Sequence, residues 1–425
     1  MKAILTRVRN VLNDRVTRVL FYDQTLKKGY ASLASFSKLF VLRRVIVTVV
    51  AYPLSLVCWV FLVVLNRFTP VRMYRFERPQ RPEAASVYIE QLEPLCRELQ
   101  DSGHKGFLIF IDASATTNLE LLKLYASHFS LYLDDRVAFI RTIFALVPRF
   151  GFSNTFVNHS LYNSNWLLPP AIKHGKHKNK IPEAISKLNL EPFKFVILTH
   201  NSLSYVKKYN PDDHHELNRF TDIRKAEDAI KLVHDNGMKT VRMGVDTDEL
   251  PDSLKRLPII DLSGKLRTDA QDLWLAEHCL FLWCINNNGS WHFAHKYNRP
   301  TLITNSYALS RGFQANLFTL QMIWDEGNDK YLTLQEIANL RGVVGRISKM
   351  KDRCLAFVEN SPSDLVSAVV EMLKYANNEL EYTAHDISLL SQFSEVLVQG
   401  GYPPMLINHS QPCISFLSAH QELLI

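Results

Sequence analysis

Hydrophobic and polar positions change their rhythm along this chain. Residues 2–21 place Ile4, Val8, Val11, Leu12, Val16 and Val19 at helical spacing on one face. Arg7, Arg15 and Arg18 lie away from the centre of that stripe. The pattern fits an interfacial amphipathic helix and equally a helix packed on the protein. Residues 45–65 are almost wholly apolar, and about 20 apolar residues at ~1.5 Å per residue cross a bilayer core. Pro53 sits near the middle of this run, with Arg43 and Arg44 before it and Arg67, Arg72 and Arg75 after it. The proline and the symmetric charge favour a kinked re-entrant or in-plane helix pair over a single spanning helix.

Beyond this run, residues 66–85 read as a linker with arginines and prolines, and 86–100 as a helix. The run GFLIFID (106–112) predicts a short buried strand, followed by a helix over 118–129. Residues 162–192 lose the pattern, and KHGKHKNKIP reads as a solvated interdomain loop. From 195 onward, short apolar runs alternate with amphipathic ones. Strands are predicted at 195–199, 239–243, 258–262, 279–285 and 300–304. Helices are predicted at 222–235, 269–278, 291–297, 333–340 and 363–375. Asn236-Gly237 supplies a stop for the first of these. Strand–helix alternation implies a parallel sheet with right-handed crossovers.

With 425 residues, 47% of them hydrophobic, the chain suits two domains, each with its own core. The expected division is 1–70 as a membrane-associated segment, 71–185 as an N-terminal α/β domain, 186–400 as a C-terminal Rossmann-like domain, and 401–425 as a tail. Charge changes this picture once it is located. The net +7 is concentrated in residues 1–44, where ten Lys/Arg face two acids for a net of +8, so the other 381 residues sum to −1. A nucleic-acid binder carries its basic patch on the folded domain; here the excess adjoins the most apolar segment, which suits anionic lipid. The six cysteines form no CxxC and suggest neither a disulfide framework nor a zinc site.

Ligands of doubly wound sheets bind beyond the carboxyl ends of the strands. That rule selects His200-Asn201-Ser202, Gly244-Val245-Asp246, Ser263-Gly264, Asn286 to Gly289, and Asn305-Ser306. Asn287, Asn288 and Gly289 precede a predicted helix, where backbone N–H groups suit a phosphate, although Asn and Gly are common in plain turns. Arg242 lies in an otherwise apolar strand and must meet an anion or pair with Asp261 or Asp222. Arg219 and Asp222 either reach the same cleft or cap the following helix. His200 is a general base by residue type, or a structural histidine. Asp212, His214 and His215 hint at a metal but lack a fourth ligand.

These segments resemble a family of glycosyltransferases of bacterial surface-polysaccharide gene clusters, itself distantly like the fucosyltransferases of GT-B fold. The resemblance is carried by FVILTHNSLSY (195–205), NRFTDI (218–223), DNGMKTVRMG (235–244), IIDLSGKLRTDAQDLWL (259–275), NNNGSW (286–291), RPTLITNSYALS (299–310), YLTLQEI (331–337) and VENSPSDLVSAVVEML (358–373). It covers roughly 195–375 and extends more loosely over 105–130. Arg219, Asp222, Arg242, Gly244, Asp261, Asp269, Asp272 and Asn305 match the family's positions. The family's His-x-Arg-Asp appears here as Thr199, His200, Asn201 and Ser202, without the arginine that would meet the diphosphate. Its Thr-Ser-Gly turn appears as Asn287-Asn288-Gly289.

The resemblance implies an α/β fold of two Rossmann-like domains, GT-B-like, with an N-terminal membrane-associated helical segment. It implies sugar transfer from a nucleotide sugar to a lipid-linked or surface glycan acceptor, without metal or cofactor, at the cytoplasmic face of the inner membrane. Catalytic roles then fall to His200 and Arg242. Donor contacts fall to Asn201, Ser202, Arg219, Asp222, Gly244, Asp261, Asn287, Asn288, Gly289 and Asn305. The altered motif keeps a second expectation open, a non-catalytic glycan- or nucleotide-sugar-binding subunit of a membrane polysaccharide assembly.

Overall fold

The computed structural model describes residues 38–68, 71–76, 96, 102–103, 105–110, 118, 120–121, 131–133, 154–156, 182–204, 220–244, 248–286, 288–307, 315–340, 350–401 and 410–424. The chain forms two compact units, residues 1–163 and 164–425.

In the first unit, helix α1 (Lys38–Phe68) runs through Pro53 as one continuous element. The expected helix pair broken at the proline is therefore a single helix: one missing N–H does not end a helix whose other turns stay bonded. Its side chains are described over 50–64 and at Phe68. There Ala51, Ser55 and Leu62 are buried, whereas Val57, Val60 and Phe61 are largely exposed. Among the described residues no helix is long and apolar enough to cross a membrane. The amphipathic stretch 2–21 lies outside the described residues.

Four strands follow: β1 (Val71–Phe76), β2 (Lys105–Phe110), β3 (Leu131–Leu133) and β4 (Asn154–Phe156). They form a parallel sheet in the order β3-β2-β1-β4. β1 corrects the expected linker. Its two arginines interrupt any apolar alternation, and pairing with β2 and β4 on its two sides decides its state. The predicted strand at 106–112 is β2, and the helix expected from 118 begins where Asn118 Oδ1 accepts the Leu121 N–H at 2.8 Å. The helix expected at 86–100 falls almost wholly outside the described residues.

The second unit contains β5 (Phe195–His200), β6 (Lys239–Arg242), β7 (Ile259–Asp261), β8 (Leu282–Ile285), β9 (Thr301–Ser306), β10 (Leu317–Leu320), β11 (Met322–Asp325), β12 (Lys330–Tyr331), β13 (Leu355–Val358) and β14 (Gln411–Pro412). Seven of them build one parallel sheet, in the order β14-β10-β9-β8-β5-β6-β7. Counted from β5, its first six strands run 3-2-1-4-5-6, the doubly wound order, and the direction of winding reverses between β5 and β8. The other three form a small antiparallel sheet, β12-β11-β13.

The helices of this unit include α2 (Glu227–Asp235), α3 (Asp269–His278), α4 (Trp291–Lys296), α5 (Leu334–Asn339), α6 (Pro362–Ala376), α7 (Ala384–Gln399) and α8 (Ile414–Ala419), of which α2, α4 and α6 pack directly on strands of the large sheet. Burial on both faces explains why β5, β8 and β9 read as continuous rather than alternating runs. Phe195, Phe281, Trp283, Phe318 and Phe393 are fully buried, each side chain of this size contributing about 2–3 kcal/mol.

Local signals fix the helix ends. Capping boxes start α3 (Thr268 with Gln271), α5 (Thr333 with Glu336), α6 (Ser361 with Asp364) and α7 (Thr383 with Asp386). α2 closes as a Schellman turn: Gly237, at φ 75°, donates to the His234 carbonyl at 2.8 Å, and Met238 donates to Val233 at 3.2 Å.

Of the residues expected as a tail, 410–424 pack into the second unit. The Cys413 N–H bonds the Phe318 carbonyl at 2.8 Å, beside β14. Glu371 of α6 is buried and accepts the N–H groups of Ile414 and Ser415 at 2.9 and 3.0 Å. At the other end of α8, His420 meets Asp364 at 3.0 Å. This partner raises the proton affinity of His420.

A Cβ on Gly237 would meet nothing within 4 Å, so Gly237→Ala costs backbone strain alone. Urea unfolding should show a loss of about 1 kcal/mol. A neutral result would mean that the turn at 237 relaxes away from positive φ.

Candidate functional site

The carboxyl edge of the seven-stranded sheet presents two faces. Leu198, Arg242 and Asp261 are register partners across β5, β6 and β7. Side chains alternate along a strand, so His200 shares their face. Thr199 and its partner Cys284 occupy the opposite one.

On the first face, Arg242 is 1% exposed. Its Nη1 donates to Asp261 Oδ2 at 2.8 Å, and its Nη2 donates to the Asp248 carbonyl oxygen. Asp261 also accepts the Ser263 N–H at 3.0 Å and the Ser263 hydroxyl. Of the pairings the sequence left open for Arg242, the one with Asp261 is present. Arg242 Nε remains buried without a partner.

His200 closes β5 and is buried, with Nδ1 lacking a partner. Burial, then the Arg242 charge, push its pKa down to about 3, against the opposing pull of Asp248 and Asp261. At neutral pH it is therefore an uncharged imidazole and a weak base. The general-base role fits poorly with this packing, because an efficient base has a pKa near the working pH.

The second face is organised by Asn288. Its Nδ2 donates to the Thr199 hydroxyl at 3.1 Å, and its Oδ1 accepts the Ser290 N–H at 3.0 Å. The amide thus closes the turn between β8 and α4, while Gly289 is half-buried in that turn. Asn286 leaves β8 at φ 75°, a left-handed conformation that Asn tolerates better than most residues. Its Nδ2 donates to Thr221 Oγ1 at 3.1 Å. Asn201 forms an isolated parallel bridge with Phe220. Through these two contacts the segment before α2 lines the ends of β5 and β8, where the winding reverses.

Asn305 lies at the end of β9 with φ 56° and is fully buried. Its N–H donates to Asn360 Oδ1 at 2.8 Å, and its own Oδ1 accepts the Asn360 N–H at 2.6 Å. Asn360 immediately precedes the cap of α6, so β9 and that helix start are locked together. Asn305 Nδ2 is buried and unpartnered.

The remaining expected residues divide. Ser202 is buried, its hydroxyl 3.1 Å from that of Ser204. The Gly244 carbonyl accepts the Gly264 N–H at 3.0 Å and joins the ends of β6 and β7. Asp222 caps the 3-10 turn 223–226 by accepting the Arg224 N–H at 3.0 Å, and pairs with the Arg224 guanidinium at 2.7 Å. Its carboxyl is held below the usual range, chiefly by the hydrogen bond from Arg224. Its observed partners are thus those of a cap. Arg219 and Asn287 lie outside the described residues, as do Asp212, His214 and His215. Among the described residues, no group of three or more His, Cys, Asp or Glu side chains is placed to hold a metal ion.

Sequence reasoning missed Thr199, Asp248 and Asn360 as site residues. Each acts on a partner far along the chain. Only the placement of Asp248 and Asn360 beside expected strand ends and a helix cap could have drawn notice.

His200 also gives a pH test. Its folded pKa lies below the unfolded value of about 6.5. Its contribution to stability is therefore full above pH ~6.5 and is lost as pH falls toward its folded value. Between pH 7.5 and 5, about 2 kcal/mol of the wild type's loss in urea unfolding should come from this residue. His200→Gln should remove that portion. An unchanged pH slope in the variant would show that His200 keeps an ordinary proton affinity in the fold.

No family model matches the chain, and no curated protein matches it. Solved structures with some likeness include the E. coli heptosyltransferase WaaC with ADP, at 10% identity and TM-score 0.27, covering 56% of this chain and 88% of that one. A glycosyl transferase of family 9 from Veillonella parvula is 15% identical with TM-score 0.31, covering 76% and 94%. The glycosyltransferase VinC in complex with dTDP is 11% identical with TM-score 0.25, covering 89% and 80%. At these scores the likeness carries no weight of its own, and the fold and site stand on the sheet order and strand ends.

Proposed function

We propose that this protein is a glycosyltransferase that moves a sugar from a nucleotide-sugar donor to a lipid-linked or surface glycan acceptor. One observation carries the reading. In a sheet of doubly wound order, the carboxyl edge concentrates buried polar side chains, and His200 Nδ1, Arg242 Nε and Asn305 Nδ2 there have no partner. Buried groups of this kind are costly unless a ligand or water completes them. In sugar transfer the departing nucleoside diphosphate gains negative charge, which positioned donors stabilise. Arg242 would supply the charge, and backbone N–H groups at the strand ends would supply neutral donors.

The N-terminal segment would hold the protein at the cytoplasmic face of the inner membrane. Its net +8 over residues 1–44 suits anionic headgroups, and the exposed Val57, Val60 and Phe61 of α1 suit an apolar environment.

A second reading, a non-catalytic nucleotide-sugar-binding subunit, is favoured by a specific observation. Two sides of the Arg242 guanidinium are engaged by Asp261 and Asp248, Asn288 is committed to Thr199 and Ser290, and His200 is a weak base.

Two experiments test this reading. The full-length protein, screened against GDP-, UDP-, CMP- and dTDP-sugars, should gain about 5–10 °C in Tm at saturation with the matching donor. Arg242→Gln should lose most of that gain. A flat screen would remove the nucleotide-sugar reading, whereas a shift without turnover on any acceptor would leave the binding subunit. The full chain should also float with vesicles containing anionic lipid and detach in part at about 0.5 M salt. Protein lacking residues 1–70 should stay behind, and equal flotation would place the lipid contact elsewhere.

A further inference from the structure

Asp248 bonds to two strand ends directly and to a third through Arg242. Its carbonyl oxygen accepts Nη2 of Arg242, at the end of β6. Its carboxylate Oδ2 accepts the backbone N–H groups of Leu203 at 3.1 Å and Ser204 at 3.4 Å, just past the end of β5. Asp261, at the end of β7, holds the other side of the same arginine. Consecutive backbone N–H groups directed at one oxygen are the usual protein contact for an anion. Here the oxygen belongs to the chain itself.

Two independent features separate this cluster from an ordinary turn cap. Arg242, 1% exposed, retains an unpartnered Nε, and His200, 8% exposed, retains an unpartnered Nδ1. Both lie on the face that Asp261 shares, and His200 feels the charges of Arg242, Asp248 and Asp261 together. Asp248 itself is exposed, as is Ser204. The anion in place is thus reachable from solvent, while the arginine bonded to the carbonyl of the same residue keeps a buried Nε without a partner. An exposed carboxylate bonded to two N–H groups is displaced at small cost, because water replaces much of what it loses.

We propose that the Leu203 and Ser204 N–H groups form a subsite for a phosphate of the nucleoside diphosphate, and that the Asp248 carboxylate occupies it as a built-in competitor when no ligand is bound. The inference rests on the nucleotide-sugar reading and deepens it. The subsite lies one and two residues beyond Ser202 and consists of main-chain donors. The charge of Asp248 also sets a threshold. A monoanion gains little by replacing a carboxylate, whereas a diphosphate, with more charge and more acceptor oxygens, gains more.

The test is calorimetric binding of inorganic pyrophosphate, ADP, GDP, UDP and dTDP to the full-length protein. Asp248→Asn keeps an oxygen for the two N–H groups and removes the charge. It should bind pyrophosphate and the matching nucleotide about five- to tenfold more tightly at low salt. The gain should shrink at about 0.5 M salt. Asp248→Glu should stay near wild type. Should Asp248→Asn fail to fold, selective 15N labelling of leucine and serine in the wild type decides instead. The Leu203 and Ser204 amide signals move on adding pyrophosphate if the subsite exists and stay in place if it does not. Wild-type binding with an equal or weaker Asp248→Asn would reduce Asp248 to a turn cap and leave the nucleotide reading intact. Folded wild type and variant that both ignore every probe would overturn the two readings together.

Discussion

A guanidinium buried in a parallel sheet must be answered, and much of the second unit's carboxyl edge is arranged around that demand. Arg242 sits on a strand flanked by β5 and β7, with almost no exposure. Leaving such a charge unpaired costs several kcal/mol. The answer comes from three places: Asp261 on β7, the main chain at Asp248, and the neutral state of His200 on β5. The same charge that fixes Asp261 makes a second cation at 200 unfavourable. One residue thereby sets the pairing of the β7 end and the path of the chain near 248, and adds to the burial that keeps its neighbour neutral.

The rest of the edge follows a different rule. Asn286, Asn288, Asn305 and Asn360 are uncharged, buried and engaged with threonine hydroxyls, backbone groups or one another. Amides can both donate and accept, so they close turns at strand ends without the desolvation cost of a charge. The edge therefore has a charged half around β5, β6 and β7, and an amide-lined half around β8, β9 and the start of α6. A ligand with an anionic group and a polar neutral body matches that division, and a nucleotide sugar is such a molecule.

The C-terminal segment gives this edge support. Glu371 and Asp364 lie two turns apart on α6 and grip opposite ends of α8. Asp364 also completes the cap of α6, next to Asn360. The position of the α6 start, and with it the Asn305–Asn360 pair, thus depends on residues near the end of the chain.

Some of this was settled by sequence alone. The strands at 195, 239, 259, 282 and 301 were legible as short apolar runs bounded by turn residues, and in β5, β8 and β9 burial on both faces makes those runs continuous. The helix ends at 268, 333 and 361 were legible because capping is chemistry within four residues. The doubly wound alternation followed, and with it the strand ends where His200, Arg242, Asn288 and Asn305 lie. Tertiary structure decided what those residues do. The pairing of Arg242 with Asp261, of Asn288 with Thr199 and of Asn305 with Asn360 joins positions 19, 89 and 55 residues apart, and no local pattern encodes such partners. β1, with two arginines in six residues, and β10 and β11, consecutive in the chain yet in different sheets, were hidden for the same reason. Propensity and period act over a few neighbours, whereas strand pairing and the satisfaction of buried polar groups are properties of the assembled core.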